Sequence, residues 1–225
     1  MNEDYSLLGY VKRIVRTVFG LFLFAAGSYC VIRANIGLGP WEAFHMGASY
    51  HIPMSYGNIT VLVSFAIVVV VSFLKEPIGF GTILNAICIG KFVDLLLYLD
   101  ILPTVQNFAA GVALLFAGQI IVAFGSYFYI GNGLGCGPRD SLMSAFTKRL
   151  PNAPIGIIRA IIEGSAGFVG FLLGAKIGLG TIISMFGISF VIQMVFALLK
   201  FDVKSIHHEN IFESFRHMKQ TAKAG

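Results

Sequence analysis

GSYCVIRANIGLGPWEAF (residues 27–44) and GSYFYIGNGLGCGPRDSL (residues 125–142) are two copies of one pattern, and their spacing sets the reading of the whole chain. Gly20, Gly27, Ser28, Tyr29, Ile32, Gly37, Gly39, Pro40 and Pro53 recur as Gly118, Gly125, Ser126, Tyr127, Ile130, Gly135, Gly137, Pro138 and Pro151, a constant shift of 98 residues (137 − 39). After one inserted residue, Gly57, Gly79, Gly81, Thr82 and Ile83 recur as Gly156, Gly178, Gly180, Thr181 and Ile182. The chain reads as one unit written twice.

Working outward, each copy contains three long apolar segments, at 13–33, 57–74 and 80–99, then 106–130, 155–174 and 179–199. Each is near the ~20 residues that a helix needs to cross the hydrocarbon core. An odd number of crossings makes the second copy enter from the opposite side, as in secondary transporters built from inverted repeats. The expected fold is therefore an all-α integral membrane protein of six transmembrane helices in two inverted three-helix repeats. The first repeat covers 1–103, the second 104–199, and a cytoplasmic tail 200–225.

Composition agrees with that class. The chain is 56% hydrophobic and only 12% charged, with a mean hydropathy of +0.82, far from an ordinary soluble domain. Lys12, Arg13 and Arg16 precede the first span, Arg139, Lys148 and Arg149 follow the fourth, and Lys200, Lys204, Arg216, Lys219 and Lys223 follow the sixth. Six crossings bring these clusters to one side, which the positive-inside tendency makes cytoplasmic, with both termini. The net charge of +5 thus reads as a topology signal, and no nucleic-acid partner is expected.

The two segments after the first span of each copy carry the chemistry. Gly37 and Gly39, or Gly135 and Gly137, permit a sharp reversal; Pro40 or Pro138 suits the first helical position; Glu42 or Asp140 falls in the first turn. Ten or eleven helical residues span ~16 Å, half of the core. Such a helix either lies in the interface or dips inward as a half-helix, and in the second case its positive end meets a central cavity suited to an anion. Glycine and proline merely shaping a turn is the competing reading. Paired interruptions at matching positions of two halves are a pointer to a transporter's binding site.

The copies also differ. Trp41 is replaced by Arg139, a five-donor fork suited to carboxylate or phosphate, or to pairing with Asp140 or a lipid headgroup. Thr60 and Ser64 are replaced by Arg159 and Glu163, four apart on one helix face and costly to bury at membrane depth. Lys91 and Asp94, three apart, read as an ion pair or a relay, and Asn58, Asn85, Gln119, Thr82 and Thr181 are polar groups able to line a cavity. Glycines of the fifth span suit close helix packing.

Other chemistry finds little support. Cys30, Cys88 and Cys136 lack metal or redox spacing and read as packing residues, and His207 and His208 read as exposed tail side chains. Ser141 and Ser144 have no histidine within their hairpin, so no enzyme and no cofactor are expected.

Through the paired signatures GLGPWEAFHMG and GLGCGPRDSLMSAF, the chain resembles the YczE/YyaS/YitT family of bacterial multi-pass membrane proteins over about residues 10–200, and within it the YczE branch. The resemblance implies a bacterial inner or plasma membrane location. The leading functional expectation is a transporter-like protein that binds a small anionic or zwitterionic solute between the hairpins, with a proton or sodium ion coupled through Glu42, Asp140 or Glu163. The other is a non-transporting accessory protein with a membrane-protein partner or a second copy of itself. In either case the lipid bilayer is its surroundings.

Overall fold

The computed structural model describes residues 6–224; residues 1–5 and Gly225, and the side chains of Lys204 and of 220–224, Lys223 included, lie outside the described residues. Among the described residues the chain is helical, with no strand: α1 (Leu7–Ala34), α2 (Pro40–His51), α3 (Tyr56–Phe73), α4 (Phe80–Leu99), α5 (Phe108–Ile130), α6 (Pro138–Arg149), α7 (Ile155–Leu172), α8 (Leu179–Leu198) and α9 (Ile211–Ala224). Six of them, α1, α3, α4, α5, α7 and α8, are long and apolar enough to cross a membrane. They match the six expected segments. Only α1 departs, starting at Leu7 and not near 13, because the Ser6 hydroxyl accepts from the Gly9 N–H at 3.0 Å and caps a turn that runs through Lys12 and Arg13.

The bundle is organised on the crossing of α1 with α5, the most extensive packing in the molecule. Gly20 lies against Gly125, and Gly27 against Gly118. A Cβ on Gly27 would stand 2.6 Å from Val122 Cγ2 and 2.8 Å from its backbone nitrogen, and would also strike the Gly118 carbonyl. Only glycine allows this approach.

The two short helices pack along α7 and α3 and are half-helices by length. Gly39 and Gly137 are extended N-caps, and Pro40 and Pro138 open α2 and α6. Helix α2 runs in register with the end of α7: Gly167 faces Pro40, Gly170 faces Ala43, and Gly47 faces Leu173. Helix α2 thus lies lengthwise against a helix long and apolar enough to cross a membrane. The end of α2 is tied by His51 Nε2 to the Leu173 carbonyl at 3.1 Å, and the end of α6 by Arg149 Nη2 to the Leu74 carbonyl at 2.5 Å. Lys148 also reaches the buried Glu76 at 2.7 Å.

The loops before the half-helices exchange partners. Gly37, at φ +123°, sits on Gly178 and Thr181, and the Gly180 N–H donates to the Ile36 carbonyl at 2.9 Å. Gly135, at φ +112°, sits on Gly79 and Thr82, and the Gly81 N–H donates to the Leu134 carbonyl at 2.7 Å. Each loop thereby satisfies backbone donors at the start of a span in the other half of the chain.

Two pairs of contacts do not match. Helices α3 and α4 pack closely, whereas α7 and α8 hardly touch, and α7 leans on α2 more than α3 leans on α6. Lys91 and Asp94 do not pair either: Lys91 donates to Asn58 at 2.6 Å, while Asp94 accepts from Ser55 Oγ at 2.5 Å and from the Gly57 N–H at 2.7 Å. The start of α3 offers free N–H groups that a carboxylate stabilises directly, so it takes Asp94.

After α8 the chain folds back onto the bundle. Glu209 is 1% exposed and accepts from Tyr10 Oη at 2.7 Å, Arg13 Nη1 at 2.9 Å and Ser214 Oγ at 2.7 Å. Its N–H donates to the Gly133 carbonyl at 2.8 Å, and the Ile211 N–H to the Ile78 carbonyl at 3.0 Å. Segment 203–211 therefore bridges the ends of α1, α4 and α5. His208, expected to be exposed, is half-buried there.

Two outcomes follow from this packing. Gly27→Val forces α1 from α5 and should cost more than the 1–3 kcal/mol of ordinary overpacking, whereas Gly164→Val, whose Cβ would meet only Met185 at 4.0 Å, should leave detergent-solubilised protein monodisperse with a near-normal melting temperature. Burial alone would raise the Glu209 carboxyl, but hydrogen bonds from Ser214, Tyr10 and Arg13, with the Arg13 charge, hold it below its ordinary 4.5. A depressed carboxylate stabilises docking fully above that ordinary value and loses the effect as pH falls through the lower folded value. Protection of the 206–214 amides from exchange, taken relative to their intrinsic rates at each pH, should thus fall in acid, with His217, whose Nδ1 is 3.9 Å from Glu209, as the other titratable neighbour on α9. Glu209→Gln should lower that protection at neutral pH and flatten its acid dependence.

Candidate functional site

A cavity of about 500 Å³ lies between the two half-helices, walled by α1, α3, α4, α5, α7 and α8. Both half-helix starts face it, through Gly39, Pro40 and Glu42 of one and Gly137, Arg139 and Asp140 of the other. Because the first backbone N–H groups of a helix have no partner within it, each start presents partial positive charge to the enclosed space.

The charged residues converge there. Arg159 Nε donates to Glu163 Oε1 at 2.8 Å on α7, as the four-residue spacing requires, and both line the cavity. Ser28 Oγ donates to Glu42 Oε1 at 3.3 Å. Arg139 makes no ion pair among the described residues; its guanidinium carbon stands 4.7 Å from the centre of the Trp41 ring, a cation–π contact. Trp41 and Arg139 hold the same place in the two copies, so the copies meet at this stacking. The positions where the copies differ, Thr60 and Ser64 against Arg159 and Glu163, all border the same space.

Of the residues expected to bind, Gly39, Pro40, Glu42, Gly137, Arg139, Asp140, Arg159 and Glu163 line the cavity. Gly37, Gly135 and Pro138 do not. The first two form the tight loop contacts with the starts of α8 and α4, and Pro138 is fully buried. Among the polar candidates Asn85 and Gln119 line it, whereas Asn58, Thr82 and Thr181 are used in bonds at helix ends, to Lys91, to Gly79 and the Cys136 carbonyl, and to Gly178.

The sequence reading missed Ser184, Tyr129, Cys136 as a lining residue, and the tail residues Val203 and His208 that border the cavity. Ser184 occupies the place in α8 that Asn85 holds in α4, a signal present in the repeat alignment. Gln119, 2% exposed, has neither amide atom hydrogen-bonded to protein, and neither has Ser184 Oγ, in a residue 8% exposed. No group of three or more histidine, cysteine, aspartate or glutamate side chains able to hold a metal occurs among the described residues.

Residues 11–197 match the family of unknown function DUF6198. An uncharacterized protein of Haemophilus influenzae is 31% identical over 182 residues, covering 81% of this chain and 82% of its own. The uncharacterized membrane protein YczE of Bacillus subtilis is 30% identical over 73% of this chain and 76% of its own, and YyaS of the same organism 23% identical over 74% and 83%. No solved structure matches. These relatives bear out the resemblance carried by the paired Gly-x-Gly-Pro signatures. With a match over most of its length and six helices fit to cross a bilayer, the chain is a multi-pass membrane protein of the DUF6198 family.

Proposed function

We propose that this protein is transporter-like and binds a small anionic or zwitterionic solute between its half-helices. The observation that carries the reading is the convergence of both half-helix starts, Arg139 and the Arg159–Glu163 pair on one cavity. Two formal cations, Arg139 and Arg159, face three formal anions, Glu42, Asp140 and Glu163. The two helix starts add about half a positive charge each, so the empty site is close to neutral. A zwitterion fits such a site as it stands. A net anion needs one co-bound proton or sodium ion, which the three carboxylates can accept.

The architecture supports an inverted pair of units, 1–103 and 104–199, with the tail 200–225. The contacts Gly20–Gly125 and Gly27–Gly118 exchange under the repeat alignment, as do Gly180–Ile36 and Gly81–Leu134. The mismatch of α3–α4 with α7–α8 is what two such units give when held in different arrangements, and rocking between them is the alternating-access motion. The clustering of Lys and Arg favours a bacterial cytoplasmic membrane protein with both termini inside. No catalytic step is part of this reading.

The test is thermal stability of the protein in nanodiscs against pools of amino acids, organic acids and phosphorylated solutes. A ligand at 100 times its Kd should stabilise by about 2.7 kcal/mol. Arg139→Ala should weaken binding at least tenfold, since a charge-assisted hydrogen bond is worth about 1.5–3 kcal/mol, and Arg139→Lys should restore it only in part because the fork is lost. Saturable binding indifferent to both variants would remove the hairpins as the site. A protein partner retained through purification, with no saturable ligand, would favour the accessory-protein reading.

A further inference from the structure

The cavity's walls differ in polarity. Charge comes from α2, α6 and α7, whereas α5 and α8 contribute Val122 and Ile130, and Ile188, Ile192 and Phe196, each series on one face of its helix. This apolar wall runs toward the end where Val203 and His208 border the cavity. At its other end stand Gln119 and Ser184. Gln119 replaces the fully buried Leu21 of the first copy, and a Cβ on the neighbouring Gly187 would come 3.3 Å from its Oε1. A small residue at 187 therefore leaves the amide its room.

A buried amide with neither its donors nor its acceptor paired costs about 1–3 kcal/mol per unmet group. The cost is met when a bound molecule offers both an acceptor and a donor. We infer that the solute is amphiphilic, with a charged head between the half-helices that also bonds Gln119 and Ser184, and an apolar body lying on Ile188, Ile192 and Phe196. This rests on the hairpin-centred reading and narrows it to monocarboxylates or amino acids with an aliphatic or aromatic body.

Two series with constant heads test it in nanodiscs: L-alanine, L-leucine and L-phenylalanine, and acetate, butanoate and hexanoate. Each buried carbon adds about 0.8 kcal/mol, so affinity should rise about fourfold per carbon along at least one series. Gln119→Leu, which installs the first copy's residue, should weaken every member of that series about tenfold and leave the gradient intact. Ile188→Thr should flatten the gradient. A rise untouched by both variants is partition into lipid and overturns the inference. Equal binding along a series, abolished by Arg139→Ala, overturns the apolar body while the hairpin site stands. Graded binding that survives Arg139→Ala but fails in Ile188→Thr overturns the hairpin head site. No binding by either series overturns the inference as well, both permitted heads having been offered.

Discussion

The approach of α1 to α5 through four glycines is the constraint on which the remaining structure depends. Without side chains at Gly20, Gly27, Gly118 and Gly125, the two backbones meet closely enough for the residues beside them, Ser28, Val122, Ser126 and Tyr129, to border a shared space. In lipid, where apolar surface gains nothing by leaving its surroundings, such close van der Waals contact is a principal source of helix association. The loops 35–39 and 131–137 start from the ends of these same two helices. Their positions, and those of the half-helices that follow, are inherited from the crossing.

A half-helix within a bilayer is stable only if its ends are satisfied, because hydrocarbon supplies no hydrogen bonds. The outer ends of α2 and α6 are tied to carbonyls at Leu173 and Leu74, and their loops are tied to the starts of α8 and α4. The inner ends are different. They face the cavity, where Glu42 and Asp140 sit in the first turns. In the proposed reading these ends lie at membrane depth, where irregular backbone is tolerated because it borders a cavity, so the cavity and the half-helices require each other.

Much of this was legible in the chain. Hydropathy located the six spans, since a membrane helix must be apolar over its whole length, and the recurrence of Gly-x-Gly-Pro marked both half-helices. The Arg159–Glu163 pair followed from spacing alone. What was not legible depended on long-range partners. Lys91 and Asp94 are three apart, yet Asn58 and the start of α3 claim them. Glu209 carries no local signal in the sequence, yet it is gripped by Tyr10, Arg13 and Ser214, about 200 positions apart along the chain for Tyr10 and Arg13. Gln119 was visible as a polar residue in a span, but its lack of a partner could not be read before the helices around it were in place.

The asymmetry between the halves bears on why the cavity persists. Were α7 packed on α8 as α3 is on α4, both charged residues of α7 would be drawn toward the apolar wall of Ile188 and Ile192. Arg159 and Glu163 resist that burial, since an ion pair closed into hydrocarbon surrenders more hydration than its mutual attraction returns unless further hydrogen bonds complete it. Thr60 and Ser64, in the same places on α3, carry no such cost, and α3 packs closely on α4. In the proposed reading, charge on one unit and hydroxyls on the other thus bias the resting arrangement, with α7 held off α8. A solute that pairs with Arg159 removes part of that bias, which gives binding a direct means of shifting the balance between the two arrangements.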